Sequence, residues 1–76
     1  MGDMRIMLVD DNGDLRRGMR DYLARQEGMK VVAECPSGAE ALEALGKGRV
    51  DVMVLDLIMP QMDGFALMEE VRRQQL

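Results

Sequence analysis

Two unbroken apolar runs and one alternating run divide the chain. Ile6-Met7-Leu8-Val9, led in by Arg5, and Val52-Met53-Val54-Leu55, led in by Val50-Asp51, carry no polar interruption. Such runs predict strands covered on both faces, as the central strands of a parallel sheet are. Between them, Val31, Ala33 and Cys35 alternate with Lys30, Val32 and Glu34, which predicts a weaker strand at a sheet edge that Pro36 ends. The intervening stretches switch to helical spacing. Leu15, Met19, Tyr22 and Leu23 predict an amphipathic helix over 14–26, with Asp14 capping or beginning it and Gly28 stopping it. Ser37-Gly38-Ala39-Glu40 has the capping-box pattern, and Ala41, Leu42 and Leu45 supply the stripe of a short second helix that Gly46-Lys47-Gly48 releases. Phe65, Leu67, Met68 and Val71 mark a third helix running almost to Leu76.

The order is βαβαβα, which implies an α/β fold with a parallel sheet and right-handed crossovers. The first and third strands are expected side by side, with helices on both faces of the sheet. Their carboxyl ends then bring Asp10, Asp11 and Asp56 together at the rim where open α/β sheets place their chemistry. Asn12-Gly13 signals a turn after the first acid pair, and Pro60 and Gly64 force a tight loop over 57–63 after Asp56.

Composition narrows the function classes. With 76 residues the chain makes one small domain, expected over 1–76, of a size that buries only about 60% of its unfolded surface. Residues are 47% hydrophobic and 32% charged, with no low-complexity tract. The net charge of −4 gives no basic face for nucleic acid, and Arg16-Arg17 and Arg72-Arg73 read as solvated helix faces. Cys35 is the only cysteine and there is no histidine, so it reads as a small buried apolar residue, compatible with a reducing cytoplasm. No apolar run approaches the ~20 residues of a membrane span, and nine methionines read as pliable core filler.

The three acids are the candidate chemistry. Two like charges ~4 Å apart repel by roughly 4 kcal/mol at an effective dielectric of 20, so stability alone does not choose such a cluster. A hard divalent cation reverses the sign, and Mg2+ takes oxygen ligands in octahedral geometry with retained waters. Asp10, Asp11 and Asp56 are its candidate ligands, with the main-chain carbonyl of Ile58, two residues past Asp56, as a further one. Asp56 then becomes a carboxylate nucleophile able to hold an aspartyl phosphate. Taken singly, Asp10-Asp11 before Asn12-Gly13 is ordinary turn chemistry, and Asp63-Gly64 is a turn and helix start. The combination carries the specificity.

Leu8-Val9-Asp10-Asp11-Asn12, Leu55-Asp56-Leu57-Ile58-Met59-Pro60 and Gln61-Met62-Asp63-Gly64, at this spacing, resemble the receiver domain of two-component response regulators. Within that family Tyr22, Gln26-Glu27-Gly28-Met29 and Asp51–Pro60 are similar to the sporulation-initiation regulators of endospore-forming bacteria. The resemblance implies a flavodoxin-like fold and a cytoplasmic, non-enzymatic signalling module. It also implies that Asp56 accepts a phosphoryl group from a histidine kinase or phosphotransfer protein. Asp11 and Asp56 would bind Mg2+ directly; Asp10 would bind mainly through water and help position the phosphoryl chemistry.

The family has five βα units, with a Ser or Thr ending the fourth strand and a Lys ending the fifth; three units are present here. Reduced phosphorylation and switching are therefore expected, together with a homodimer or swapped oligomer that covers the edge of the third strand. A non-catalytic module that self-associates or competes for a kinase, its acids idle, is the alternative. An Asp-nucleophile phosphohydrolase typically carries a second acid where Ile58 stands, and a flavin site lacks its phosphate-cradling loop after the first strand.

Overall fold

The computed structural model describes residues 2–56 and 64–75. Its elements are β1 (Met4–Val9), α1 (Gly13–Ala24), β2 (Met29–Cys35), α2 (Gly38–Leu45), β3 (Val52–Leu55) and α3 (Gly64–Gln74). The strands are parallel, in the order β2-β1-β3. This is the start of the 2-1-3-4-5 order of flavodoxin-like sheets. The unbroken apolar run of β1 accordingly lies in the middle, with Ile6 through Val9 all buried.

Side-chain alternation along β1 splits these residues between two faces. Met7 and Val9 join Cys35, Ala41 of α2 and Leu67 of α3 in the core, with Met53, Leu55 and Val71 packed against it. The edge strand β2 slips register between Ile6 and Met7, which pair with Val31 and Ala33. Val32 is the extra residue of a bulge, so residues 31–34 are all half-buried and the alternation read from the sequence is blurred.

The other face is less complete than the apolar runs predicted. β3 was expected to be covered on both sides, yet Val52 and Val54 are 38% and 36% exposed. No residue of α1 is fully buried, and its Leu15 and Tyr22 are exposed. An open apolar groove of about 460 Å³ runs between α1 and β3, walled by Leu15, Met19, Tyr22, Leu23 and Val54.

Helix ends follow local chemistry. Asn12, in extended conformation, caps α1: its Oδ1 accepts from the Leu15 N–H at 3.1 Å, and Asp14 lies in the first turn near the positive end of the helix dipole. The helix stops at Ala24, earlier than predicted, because Arg25 and Gln26 donate to Tyr22 and Leu23 in a tightened last turn. Gly28 instead takes φ +80° in the turn into β2, a conformation that favours glycine. Ser37 caps α2 as expected, its Oγ accepting from the Glu40 N–H at 3.3 Å. In α3, Leu67 is buried and Val71, one turn on, is half-buried. Phe65 and Met68, the other two apolar residues that mark this helix, are exposed. No helix of the described residues is long and apolar enough to cross a membrane.

Candidate metal centre

The parallel ladders carry the acids to one edge. Val9 pairs with Leu55, and one residue further the Asp56 N–H donates to the Val9 carbonyl at 2.9 Å. On the other side of β1, the Asp10 N–H donates to the Cys35 carbonyl at 3.1 Å. Asp10 is 5% exposed, Asp56 half-buried and Asp11 exposed. A carboxylate oxygen from each of the three lies within 4.8 Å of the others. The sequence placed these side chains together and the fold does so. Ile58, whose carbonyl was the fourth expected ligand, lies outside the described residues, as do Pro60 and Asp63.

The acid pair sits in a bonded turn. Asp10 Oδ1 accepts from the Asn12 N–H at 2.9 Å, the side-chain turn that aspartate forms with its own backbone two residues on. Asn12 then caps α1, so the helix begins where the acid turn ends. Arg16, one turn into that helix, donates from Nη1 to the Asp10 main-chain carbonyl at 2.7 Å. Its Nε lies 3.7 Å from Glu34 of β2, and its side chain is only 14% exposed. Arg20 also reaches Glu34, at 3.3 Å.

Arg16 corrects the sequence reading, which placed it with Arg17 on a solvated face. Arg17 does sit there, paired with Asp14. The available signal was the cap: a residue four past the Ncap shares its face, so Arg16 lies over the strand end that Asn12 follows. Cys35 behaves as predicted. It is buried, and burial, helped by the Glu40 charge, pushes its thiol up and away from the reactive thiolate.

Three carboxylates at this spacing repel by roughly 3–4 kcal/mol per pair at an effective dielectric of 20. All three groups offer hard anionic oxygens, and one is exposed enough to admit an ion with its waters. That donor set fits Mg2+ or another hard divalent cation.

Known proteins similar to this chain identify its family and fold. A protein-glutamate methylesterase/protein-glutamine glutaminase of Alkalilimnicola ehrlichii is 39% identical over 95% of this chain and 18% of its own length. The transcriptional regulatory protein YhcZ of Bacillus subtilis is 35% identical over 93% of this chain and 33% of its own. The chain thus spans a third or less of these relatives. Among solved structures, the signal receiver domain of NarL from Mycobacterium tuberculosis superposes with a TM-score of 0.92 at 34% identity, covering all of this chain and 61% of that one. The response regulator domain of Thermotoga maritima CheB gives 0.87 at 30% identity, covering 93% and 53%. The family model of the response regulator receiver domain matches residues 6–76, and the chain belongs to that family.

Proposed function

We propose that the chain is a phosphoacceptor module of a two-component system, in which Asp56 takes a phosphoryl group from a histidine kinase or phosphotransfer protein. The observation that carries this reading is the convergence of Asp10, Asp11 and Asp56 within 4.8 Å at the carboxyl edge of the sheet. Asp11 and Asp56 would hold Mg2+ directly and Asp10 mainly through water, with the Ile58 carbonyl as the main-chain ligand that the family resemblance and the spacing suggest. When bound, the cation offsets the charge of the incoming phosphoryl group. A carboxylate oxygen of Asp56 bonds to phosphorus as the bond from phosphorus to the donor nitrogen breaks, its electron pair leaving with that nitrogen. The Asp56 N–H bond to Val9 anchors the nucleophile against the central strand.

The module works in the cytoplasm, takes part in no catalysis beyond its own phosphorylation and dephosphorylation, and belongs with the sporulation-initiation type. The 76 residues are read as the first three βα units of one receiver domain. Their only serine, Ser37, caps α2; of their two lysines, Lys47 pairs with Glu43 and Lys30 is exposed near the amino end of β2, opposite the acid edge, so none of these is the hydroxyl or the lysine that the family resemblance puts beside the phosphoryl group. These residues alone therefore have reduced or absent phosphorylation and impaired switching.

Titration with Mg2+ followed by amide chemical shifts is the test. Shifts centred on Asp11 and Asp56 are expected, and Asp56→Ala abolishes them. A small phosphodonor should then label Asp56 at a rate well below that of a five-unit receiver; equal rates would refute the impairment.

The second reading, a self-associating or kinase-competing module with idle acids, is favoured by one observation. Among the described residues β3 pairs only with β1, and its outward valines are exposed. An acid cluster silent to Mg2+ would leave this reading standing alone.

A further inference from the structure

We infer that Arg16 is the positioning residue of the acid cluster: its guanidinium clamps the main chain at Asp10 and so sets where the Asp10 and Asp11 carboxylates face, while Glu34 holds the guanidinium in place. The inference rests on reading the cluster as a Mg2+ site.

A cation placed beside three carboxylates ordinarily pairs with one of them. Arg16 instead donates to the Asp10 carbonyl oxygen at 2.7 Å. Its ionic partner is Glu34, on the strand flanking β1 on the side away from Asp56: the carboxylate lies 3.7 Å from the buried Nε, which makes no hydrogen bond, so Glu34 acts on the guanidinium by charge alone. Arg20 shares that glutamate at 3.3 Å, so Glu34 is itself fixed from α1. With a side chain only 14% exposed, Arg16 is not a screened surface charge.

Asp10 is thereby tied at three points: its N–H to Cys35, its carbonyl to Arg16 and its Oδ1 to Asn12. The first belongs to the sheet and the third to the turn. The second ties α1 back to the acid turn through a side chain of the helix itself, beside the Asn12 cap, and it acts on the carbonyl of the peptide that joins Asp10 to Asp11.

Two effects of removing Arg16 oppose each other, and their signs separate the roles. Loss of a nearby positive charge makes the cluster more attractive to a cation. Loss of the clamp frees the Asp10-Asp11 turn and weakens the site, as changes to groups that orient metal ligands typically do by 10–100-fold. A positioning role therefore predicts weaker Mg2+ binding, and a purely electrostatic role predicts tighter binding.

The experiment measures Mg2+ affinity from amide shifts and, without Mg2+, hydrogen exchange at the Asn12 amide that Asp10 Oδ1 accepts from. Arg16→Ala should bind Mg2+ about 10-fold more weakly and exchange Asn12 faster. Arg16→Lys keeps the charge and one donor but not the fork, and should fall between. Glu34→Gln should lose a smaller factor. Arg17→Ala removes the same charge from the exposed face and should not weaken binding. Thermal melts confirm folding; should Arg16→Ala fail to fold, the Lys and Gln variants carry the comparison. Affinity equal to or above wild type in the Arg16 variants overturns the inference. So does weaker binding with Asn12 exchange unchanged, since the loss would not then pass through the turn. A wild-type chain silent to Mg2+ overturns the metal reading itself and the inference with it, a result distinguishable from the other two.

Discussion

Asp10 shows how one residue serves two ends. Its backbone completes the pairing of β1 with β2, and its Oδ1 closes the turn into α1, while its charge lies within 4.8 Å of two others. Asp10→Asn keeps an oxygen acceptor for Asn12 and removes one of the three charges. Without divalent cations and at low salt it should raise stability by about 1 kcal/mol, a fraction of the pairwise repulsion because Asp11 is solvated. Mg2+ should reverse the order. Wild type gains about 1.4 kcal/mol at ten times its dissociation constant, and the variant gains much less. Paired thermal melts with and without Mg2+ give both numbers. The acids were legible in the sequence because a strand-ending residue has only one place to go once two parallel strands are neighbours. Arg16 was legible only through its position four residues past the Asn12 cap, and not through its charge. Charge alone does not tell a guanidinium folded back over a helix's first turn from one in water.

Among the elements, α3 separates what helical periodicity can and cannot give. Its existence was readable, and Leu67 and Val71 fall on the packed line. Phe65 and Met68 marked the same helix and are exposed, because apolarity does not say which flank of a helix finds a partner. The bulge at Val32 escaped for a related reason, since a register slip leaves no mark on composition. The polar side of α3 makes a sharper prediction. Glu70 accepts hydrogen bonds from Arg73, one turn on, and from Gln74, which together push its carboxyl down to about 2. The folded-state value is depressed, so this contribution is fully present above the ordinary carboxylate range, near 4.5, and fades as pH falls towards 2. Carboxyl resonances should show Glu70 titrating in the lower part of that window, with the last turns of α3 fraying in parallel. Arg73 is exposed and Glu70 half-buried, so added salt should move the midpoint part of the way back up.

For the whole molecule, the open question is the face that α1 covers only in part. The apolar run of β3 was read as belonging to a central strand, and the sheet places it last, paired on one side among the described residues. Backbone groups along an unpaired apolar strand are a template for a second strand; Val54 lines the groove under α1 and Val52 is exposed. Association of copies through this region has to overcome a net charge of −4 on each, so it should strengthen as salt screens the repulsion and as concentration rises. That signature differs from association through ion pairs, which salt weakens. Light scattering across a salt series should therefore show mass increasing with ionic strength. Val54→Lys places a charge in the groove, in the way that lysine guards natural sheet edges, and should hold the chain monomeric at every salt concentration. A wild-type chain that stays monomeric throughout, or a Val54→Lys variant that associates as wild type does, would show that the β3 edge does not mediate assembly.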